Sequence, residues 1–388
     1  MSTSVPFDAT AARASAPTTA AVPITVAETT GTAARLGAWI VLLGTVITTV
    51  GVSWDIQWHD EVGPDTFFTL PHLFLYSGSA VSGFASLAMV IMATAAQRAG
   101  RPVPRAGGAP VRVFGGALTV PLGFMISGAG AASFLLYGLM DLEWHSIYGF
   151  DAVLYTPSHV ALFLSMTITM IGGVIVFAAH RDELWGRIGL VAALAVLVSH
   201  MPIPFVALAQ LQLPVDPMFC GIVLCSTMLL LIGALVLGRP GSALVVAAAV
   251  GVLQAVLWWF SPWAAEAYAS AIGLPLRDGL QPGPPAFPGL MPMFLGVAAL
   301  VVEAVFWWAR TRGLDARKVL PLTGMVLGVI VAVSLPLQFL LTQAQAHFQT
   351  TEVVLTAAIG IPLGLLAGFL AGRFATMLRT LAPAKEIR

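Results

Sequence analysis

Charged side chains and cysteines are both scarce in this sequence. Of its 388 residues only 9% are charged, against roughly 25% in a soluble globular domain. In contrast, 58% are hydrophobic, and the mean hydropathy is +0.90. A water-soluble fold is therefore excluded, and we predict an integral membrane protein. The two cysteines, Cys220 and Cys225, lie close together in an apolar run, which excludes a disulfide framework.

The sequence also lacks a charge imbalance and the common catalytic motifs. Its 18 basic and 18 acidic residues cancel, so bulk electrostatics favours neither nucleic acid nor an acidic partner. It contains no phosphate-binding glycine loop, nucleophile elbow, CxxC pair or haem-attachment motif. Any chemistry must therefore come from another pattern.

Residues 1–32 contain little apolar sequence and are rich in Ala, Thr, Ser and Pro. A signal peptide needs an apolar region of roughly 7–15 residues, which this stretch does not provide. We interpret it as a disordered cytoplasmic tail.

Ten apolar segments follow the tail, each near the roughly 20 residues that a helix needs to cross a bilayer. Their approximate bounds are 34–55, 70–97, 115–140, 157–179, 188–210, 217–238, 242–262, 287–309, 320–341 and 352–374. The predicted fold is an all-α bundle of about ten transmembrane helices in five hairpins. We divide it into a four-helix region, 33–180, and a six-helix region, 181–388.

Lysine and arginine lie almost entirely at one set of segment ends. With these bounds, 17 of the 18 basic residues fall on one side of the membrane, and only Arg277 falls on the other. The positive-inside rule then places both termini in the cytoplasm. We predict a multi-pass protein of the cell inner (plasma) membrane, with the lipid bilayer as its principal partner.

One pattern occurs twice, in the first and second predicted hairpins. Each copy has D-x3-H at the end of one segment, a short loop with a further Asp, and a His at the start of the next segment. The residues concerned are Asp55, His59 and His72 in the first copy and Asp141, His145 and His159 in the second. The positive-inside rule puts both copies at the extracytoplasmic face.

The chemistry of this pattern points to metal binding. Residues four apart share one face of a helix, so Asp55 and His59 project together, and His72 can approach them from the next helix. Two histidines and one carboxylate suit Cu, Zn or Fe and leave positions open for a small ligand. These residue types do not choose the metal.

The two loop aspartates, Asp65 and Asp151, have two interpretations. Each can orient a ligand histidine by accepting its second ring N–H, or it can cap a helix or stabilise a turn. The whole pattern also has a simpler interpretation, since an Asp–His hydrogen bond at a membrane interface needs no metal. Two copies in consecutive hairpins favour a functional site.

The first copy resembles the C subunit of copper-dependent membrane monooxygenases, a family that includes particulate methane, ammonia and related hydrocarbon monooxygenases. The resemblance is carried by Trp58-His59, Asp65-Thr66, Phe68-Thr69 and His72. The family's D-x3-H-x12-H copper set is matched in spacing by Asp55, His59 and His72. Its second set, N-x3-H-x13-H, is matched by Asp141, His145 and His159, with Asp in place of Asn. Thr156-Pro157-Ser158-His159 is also similar to the family's sequence before a ligand histidine.

The resemblance covers roughly residues 34–180 and implies copper at both sites. It also implies oxidation of a small apolar substrate with O2, together with other monooxygenase-type subunits or as a homo-oligomer. The chain departs from the family in having ten predicted helices rather than six or seven and in lacking a cupredoxin-like domain.

Two other functions remain open. One is a membrane copper transporter or metal-handling protein without oxygenase activity, since repeated hairpins are usual in transporters. The other is a structural subunit with vestigial sites. The helix centres are nearly free of charge, which favours a fixed site at the outer ends over ion-coupled transport.

Overall fold

The computed structural model describes residues 24–63, 65–149, 154–211, 213–280, 283–342 and 350–381. Within these ranges the chain is nearly all helical, and ten helices are long and apolar enough to cross a membrane. The predicted membrane character and number of spans are confirmed. Most of the predicted tail lies outside the described residues, but Val26 forms a β-bridge with Val103.

The helices extend beyond most of the apolar segments. Their bounds are α1 Thr32–Glu61, α2 Leu70–Arg98, α3 Leu122–Tyr148, α4 Pro157–Ala178, α5 Leu184–His200, α6 Pro202–Phe205, α7 Pro217–Leu237, α8 Ser242–Ile272, α9 Ala286–Leu290, α10 Leu295–Thr311, α11 Ala316–Leu341 and α12 Thr350–Thr380. The short α6 and a 3-10 turn continue the span begun by α5, and α9 and α10 together make one further span.

The third apolar segment begins with a small β-hairpin and not with a helix. Strands β1, Pro110–Val113, and β2, Leu118–Pro121, pair antiparallel. Gly115 and Gly116 in the connection have φ of 64° and 93°, which a right-handed helix does not contain. The helix α3 therefore starts only at Leu122 and extends past the predicted end, which keeps Asp141 and His145 inside it.

The first two helix pairs approach each other through equivalent glycines. A Cβ on Gly44 of α1 would lie 2.2 Å from Ser82 Oγ of α2, and one on Gly130 of α3 would lie 2.5 Å from Thr169 N of α4. Each glycine stands at the same sequence distance before the D-x3-H histidine of its copy. Close backbone approach at small residues is a general means of packing helices in lipid, and here the same crossing occurs twice.

The four helices α1 to α4 form one bundle. Besides the two pairs, α2 packs against α3 and α1 packs against α4. The second half of the chain adds α5 against α4, and α8 against both α1 and α5. The ends of the four helices that carry the repeated pattern consequently meet at one place.

The span made by α9 and α10 is broken at residues 291–294. Irregular backbone at membrane depth is tolerated where protein groups satisfy it, and two glutamines do so. Gln254 and Gln338 each donate to the carbonyl oxygen of Met291 at 3.1 Å, and the Gln338 amide oxygen accepts the Met293 N–H at 3.0 Å. The break is therefore a stable part of the fold.

The segment after α8 closes over the end of α1. The seventh apolar segment was predicted to end at residue 262, but α8 continues through Pro262 to Ile272. Leu274 packs against the cluster formed by Trp58, Val62 and Ala269, and the Arg277 N–H donates to Glu61 O at 2.7 Å. This contact fixes the helix end from which Asp55 and His59 project.

Candidate metal centre

Four side chains converge where α1 meets α2. They are Asp55 and His59 in the last two turns of α1, Asp65 in the connection and His72 in the first turn of α2. One ligand atom from each lies within 4.8 Å of all the others. His72 Nε2 is 3.1 Å from Asp55 Oδ1, and His59 Nε2 is 3.0 Å from Asp65 Oδ2. We call this set the first cluster.

Three side chains converge in the same way where α3 meets α4. His145 Nε2 lies 3.5 Å and His159 Nε2 lies 3.6 Å from Asp141 Oδ1. Asp141 and His145 are buried, and the three ligand atoms lie within 4.8 Å of one another. We call this set the second cluster. Its predicted loop partner, Asp151, lies outside the described residues.

A threonine three residues before each second histidine helps to place it. Thr156 is the N-cap of α4, where its Oγ1 accepts the His159 N–H at 3.3 Å and lies 2.9 Å from His159 Nδ1. Thr69, the N-cap residue of α2, has its Oγ1 3.2 Å from His72 Nδ1. The sequence reasoning did not assign these threonines, although the shared T-x2-H spacing is visible in both copies.

The Nδ1 atoms of two histidines lie beside backbone carbonyl oxygens, and this contact shows which ring nitrogen carries the proton. His72 Nδ1 is 3.0 Å from Thr66 O, and His145 Nδ1 is 3.0 Å from Gly149 O. A carbonyl oxygen only accepts, so each Nδ1 carries a proton. In a neutral imidazole the opposite nitrogen, Nε2, then presents a lone pair. Both Nε2 atoms face carboxylate oxygens, an arrangement that needs a metal cation or a second proton between the two groups.

Two buried carboxylate oxygens also indicate a cation position, between the carboxylates and the Nε2 atoms. Asp55 Oδ1 and Asp141 Oδ1 are buried, and within the described residues they face only imidazole Nε2 atoms, the nearest lying 3.1 Å from Asp55 and 3.5 Å from Asp141 for the ring of His145. Burying a charged oxygen without a positive partner is costly. A cation held between these oxygens and the Nε2 atoms satisfies both, so the donor set fits a metal ion.

Asp65 combines the loop role with a place in the first cluster. Its Oδ1 accepts the Thr66 N–H at 2.7 Å and the Thr69 hydroxyl, while Oδ2 faces the Nε2 atoms of His59 and His72. Burial alone would raise the pKa of Asp65, but the hydrogen bond from His59 and the nearby His72 and Thr69 lower that pKa below its usual value. Asp65 thus has the turn role that was one of its two sequence interpretations, and its second carboxylate oxygen also faces the Nε2 atoms of both histidines.

Both clusters open into one cavity. The residues that line it are Asp55, His59, His72, Leu75, Tyr76, Asp141, Leu154, His159, Leu162, Phe163 and Met166. About 30 Å³ of it is open to the centre of a water-sized molecule, enough for about two waters. The cavity is polar where the clusters meet and apolar on its remaining walls, and it connects two sites that belong to different hairpins.

An aromatic residue lies one helical turn after the second histidine of each copy and forms part of the cavity wall. Tyr76 stacks on His72 with ring centroids 5.9 Å apart, and Phe163 stacks on His159 at 6.0 Å. The two positions differ by one hydroxyl group. Tyr76 lines the shared cavity together with Asp55 and Asp141, so this position belongs to the region between the two clusters.

Comparison of the chain with family models, with curated proteins and with solved structures finds no match in any of the three. The case for the candidate centre therefore rests on the geometry of these residues.

Proposed function

We propose that this membrane protein binds two transition-metal ions, preferentially copper, in its first and second clusters. The observation that carries the proposal is the shared orientation of the imidazoles: Nε2 atoms face buried carboxylate oxygens, and protons on His72 and His145 are held on the opposite side. Imidazole and carboxylate ligands suit Cu, Zn and Fe, and divalent copper binds such sites most strongly. Copper also agrees with the resemblance to the monooxygenase C subunit.

The two clusters differ in what they offer a metal ion. Among the residues that the structure describes, the first supplies two imidazoles and two carboxylates, while the second supplies two imidazoles and the carboxylate of Asp141. Three protein ligands leave a coordination position open. Asp141 and His145 are buried and His159 lines the cavity, so a small molecule would approach a metal in the second cluster from the cavity side.

We further propose oxidation of a small apolar substrate with O2. Bound copper would supply the redox chemistry, and the electrons would come from a separate donor protein. The chain's own residues contribute orientation and shape. Thr69 and Thr156 contact the histidine rings, while Leu75, Leu162 and Met166 provide an apolar wall that limits water and admits a small molecule.

Under this proposal the clusters lie at the extracytoplasmic face of the inner membrane. The support is the charge distribution: Arg35 lies in the first turn of α1, and Asp55 and His59 lie at its opposite end. Other monooxygenase-type subunits, or further copies of this chain, would complete the assembly.

Copper transport or delivery is the second candidate, and the repeated helix pairs favour it. The location of the clusters at helix ends and the small size of the cavity favour a fixed site. Copper flux in proteoliposomes separates the two functions, because a transporter moves the ion without consuming O2.

Metal content provides the first test. The detergent-purified protein is analysed by elemental mass spectrometry as wild type and as the His59→Ala and His145→Ala variants. We expect about two copper ions per chain, falling by about one in each variant. His180→Ala is the matched control, because His180 is buried at the other end of the helices. Absence of metal, or metal that is unchanged by both cluster variants, contradicts the proposal.

Oxygenase activity needs its own measurement. Membranes carrying the His59→Ala/His145→Ala double variant should not oxidise small hydrocarbons or ammonia, whereas wild-type membranes supplied with a reductant should. Full activity in the double variant would contradict the oxygenase proposal. Metal binding would still be tested separately by the metal content.

A further inference from the structure

A second cavity opens at the end of the helices away from the two clusters. It is a cleft of about 570 Å³ between the α4–α5 connection, the α7–α8 connection and the end of α12. Four arginines line it: Arg181, Arg187, Arg239 and Arg379. Nearby, Arg35 in the first turn of α1 pairs with Glu183 at 3.9 Å, which places the cleft at the opposite end of α1 from Asp55 and His59.

The charge of this cleft is not balanced by the described part of the chain. None of the four guanidinium groups has a carboxylate oxygen within 4.0 Å there, and Asp182 is the single acidic residue among those that line the cleft. Arg317 adds a further positive charge within range of Arg379. Positive groups held together repel one another, and a bound anion removes this repulsion.

The shape and position of the cleft fit a phosphate group. Guanidinium groups present pairs of N–H donors that match phosphate oxygens, so arginine is favoured where phosphate is recognised. A volume of about 570 Å³ is in the range of small-molecule sites. The arginines lie at the ends of membrane spans, where basic pockets between helices bind lipid head groups.

We propose that the four arginines form a binding site for a phosphate group, supplied by an anionic phospholipid or by a soluble phosphate compound. The residues come from three separate parts of the chain, so a bound phosphate links α5, the α7–α8 connection and α12. The inference is independent of metal binding, because no residue of either cluster lines this cleft.

The test compares two variants that lose the same charge. Arg187→Gln/Arg239→Gln removes two guanidinium groups of the cleft. Arg310→Gln/Arg312→Gln removes two exposed arginines outside the cleft, at the end of α10. This helix end lies on the same side, because Glu303 of α10 accepts the Gly241 N–H at 2.8 Å at the start of α8.

Each full-length protein is purified in mild detergent and its thermal unfolding is followed during titration with short-chain phosphatidylglycerol, short-chain phosphatidylcholine or inorganic phosphate. Native mass spectrometry counts the bound lipid. We expect phosphatidylglycerol to raise the unfolding midpoint of wild type and of the control variant, and to require about tenfold or more ligand in Arg187→Gln/Arg239→Gln.

Stabilisation by phosphatidylglycerol alone assigns a lipid, and equal potency of inorganic phosphate assigns a soluble phosphate compound. Equal responses of wild type and the cleft variant, or equal responses to phosphatidylglycerol and phosphatidylcholine without any effect of phosphate, would overturn the proposal. If the double variant does not fold, Arg239→Gln carries the same comparison against Arg310→Gln.

Discussion

The Nδ1 atom of His145 lies 3.0 Å from the carbonyl oxygen of Gly149. This contact assigns the ring proton to Nδ1 and leaves Nε2 directed at Asp141, 3.5 Å away. The same relationship joins His72, Thr66 and Asp55 in the first cluster. Two rings held in this tautomer beside buried carboxylates are the central finding of the structure, and the charge of those carboxylates is the first property to test.

Replacing Asp141 by Asn keeps the shape of the side chain and removes its charge. Because the second cluster contains a single described carboxylate, we expect metal affinity at that site to fall by more than about tenfold, with the first cluster unaffected. Competition with a chelator, followed by elemental analysis, measures this change. Asp182→Asn, an exposed acid at the other end of the helices, is the control, and an unchanged affinity in Asp141→Asn would remove the carboxylate from the site.

The N-cap threonine of α4 should affect both stability and metal binding. Thr156→Val removes the hydroxyl that accepts the His159 N–H and contacts His159 Nδ1. We expect a loss of about 1 kcal/mol in unfolding free energy from the cap and a loss of about 10- to 100-fold in metal affinity from the freed ring. Thr376→Val in α12, which removes an exposed hydroxyl bonded to Gly372 O, should change neither. A purely structural role would lower the stability of Thr156→Val but leave its metal affinity intact.

The duplicated helix crossing predicts a contrast between two glycines of α3. A Cβ at Gly130 would lie 2.5 Å from the backbone N of Thr169, whereas one at Gly138 would have no atom within 4 Å. Gly130→Ala should therefore lower the unfolding free energy by about 1–3 kcal/mol through overpacking. Gly138→Ala should be neutral or should stabilise the helix by up to about 1 kcal/mol. Thermal unfolding in detergent distinguishes them, and equal midpoints for the two variants would contradict the close crossing.

The buried His180 predicts loss of stability on acidification. Burial lowers the pKa of His180 below its usual value, more than the hydrogen bond to Glu183 raises it. As the pH falls, His180 is therefore protonated near pH 6.5 in the unfolded chain but only at a lower pH in the folded chain. The stability from this group is complete above about pH 6.5 and falls as the pH drops toward the folded pKa.

The measurement is the unfolding midpoint of wild type and His180→Gln from pH 7.5 to 5. We expect a flatter pH profile for the variant, even though its midpoint at pH 7.5 is lower because it loses the contact with the Gly107 N–H. Asp182→Asn should keep the wild-type slope. A slope identical in wild type and His180→Gln would assign the pH dependence to other groups.

Much of this arrangement could be predicted from the sequence, because it depends on local spacing. Hydropathy predicts the ten spans, and four-residue spacing brings His59 beside Asp55 and His145 beside Asp141. The contact of Asp65 with the Nε2 atoms of His59 and His72 could not be predicted in the same way. It depends on how the α1–α2 connection folds back over the two rings. The break before α10 likewise depends on Gln254 and Gln338, which come from distant helices.

The β-hairpin before α3 shows a different limitation. Residues 115–121 of this hairpin are apolar enough to resemble the start of a span, and the pair Gly115 and Gly116 is the signal that indicates a turn instead. Hydropathy averages over this pair, whereas their positive φ values decide the local structure. The register of α3 is nevertheless set by the rest of its sequence, so Asp141 and His145 remain on one face.

Every described ligand of a cluster comes from one helix pair and the connection inside it. Each pair also carries its own close glycine crossing, at Gly44 and at Gly130. A change to the ligands of one pair therefore leaves the backbone of the other intact, and the two sites are free to diverge separately. The hydroxyl of Tyr76, opposite the plain ring of Phe163, is one such divergence. The repeated helix pair thus gives this protein two modules that can acquire different metal affinities or functions while they share one cavity.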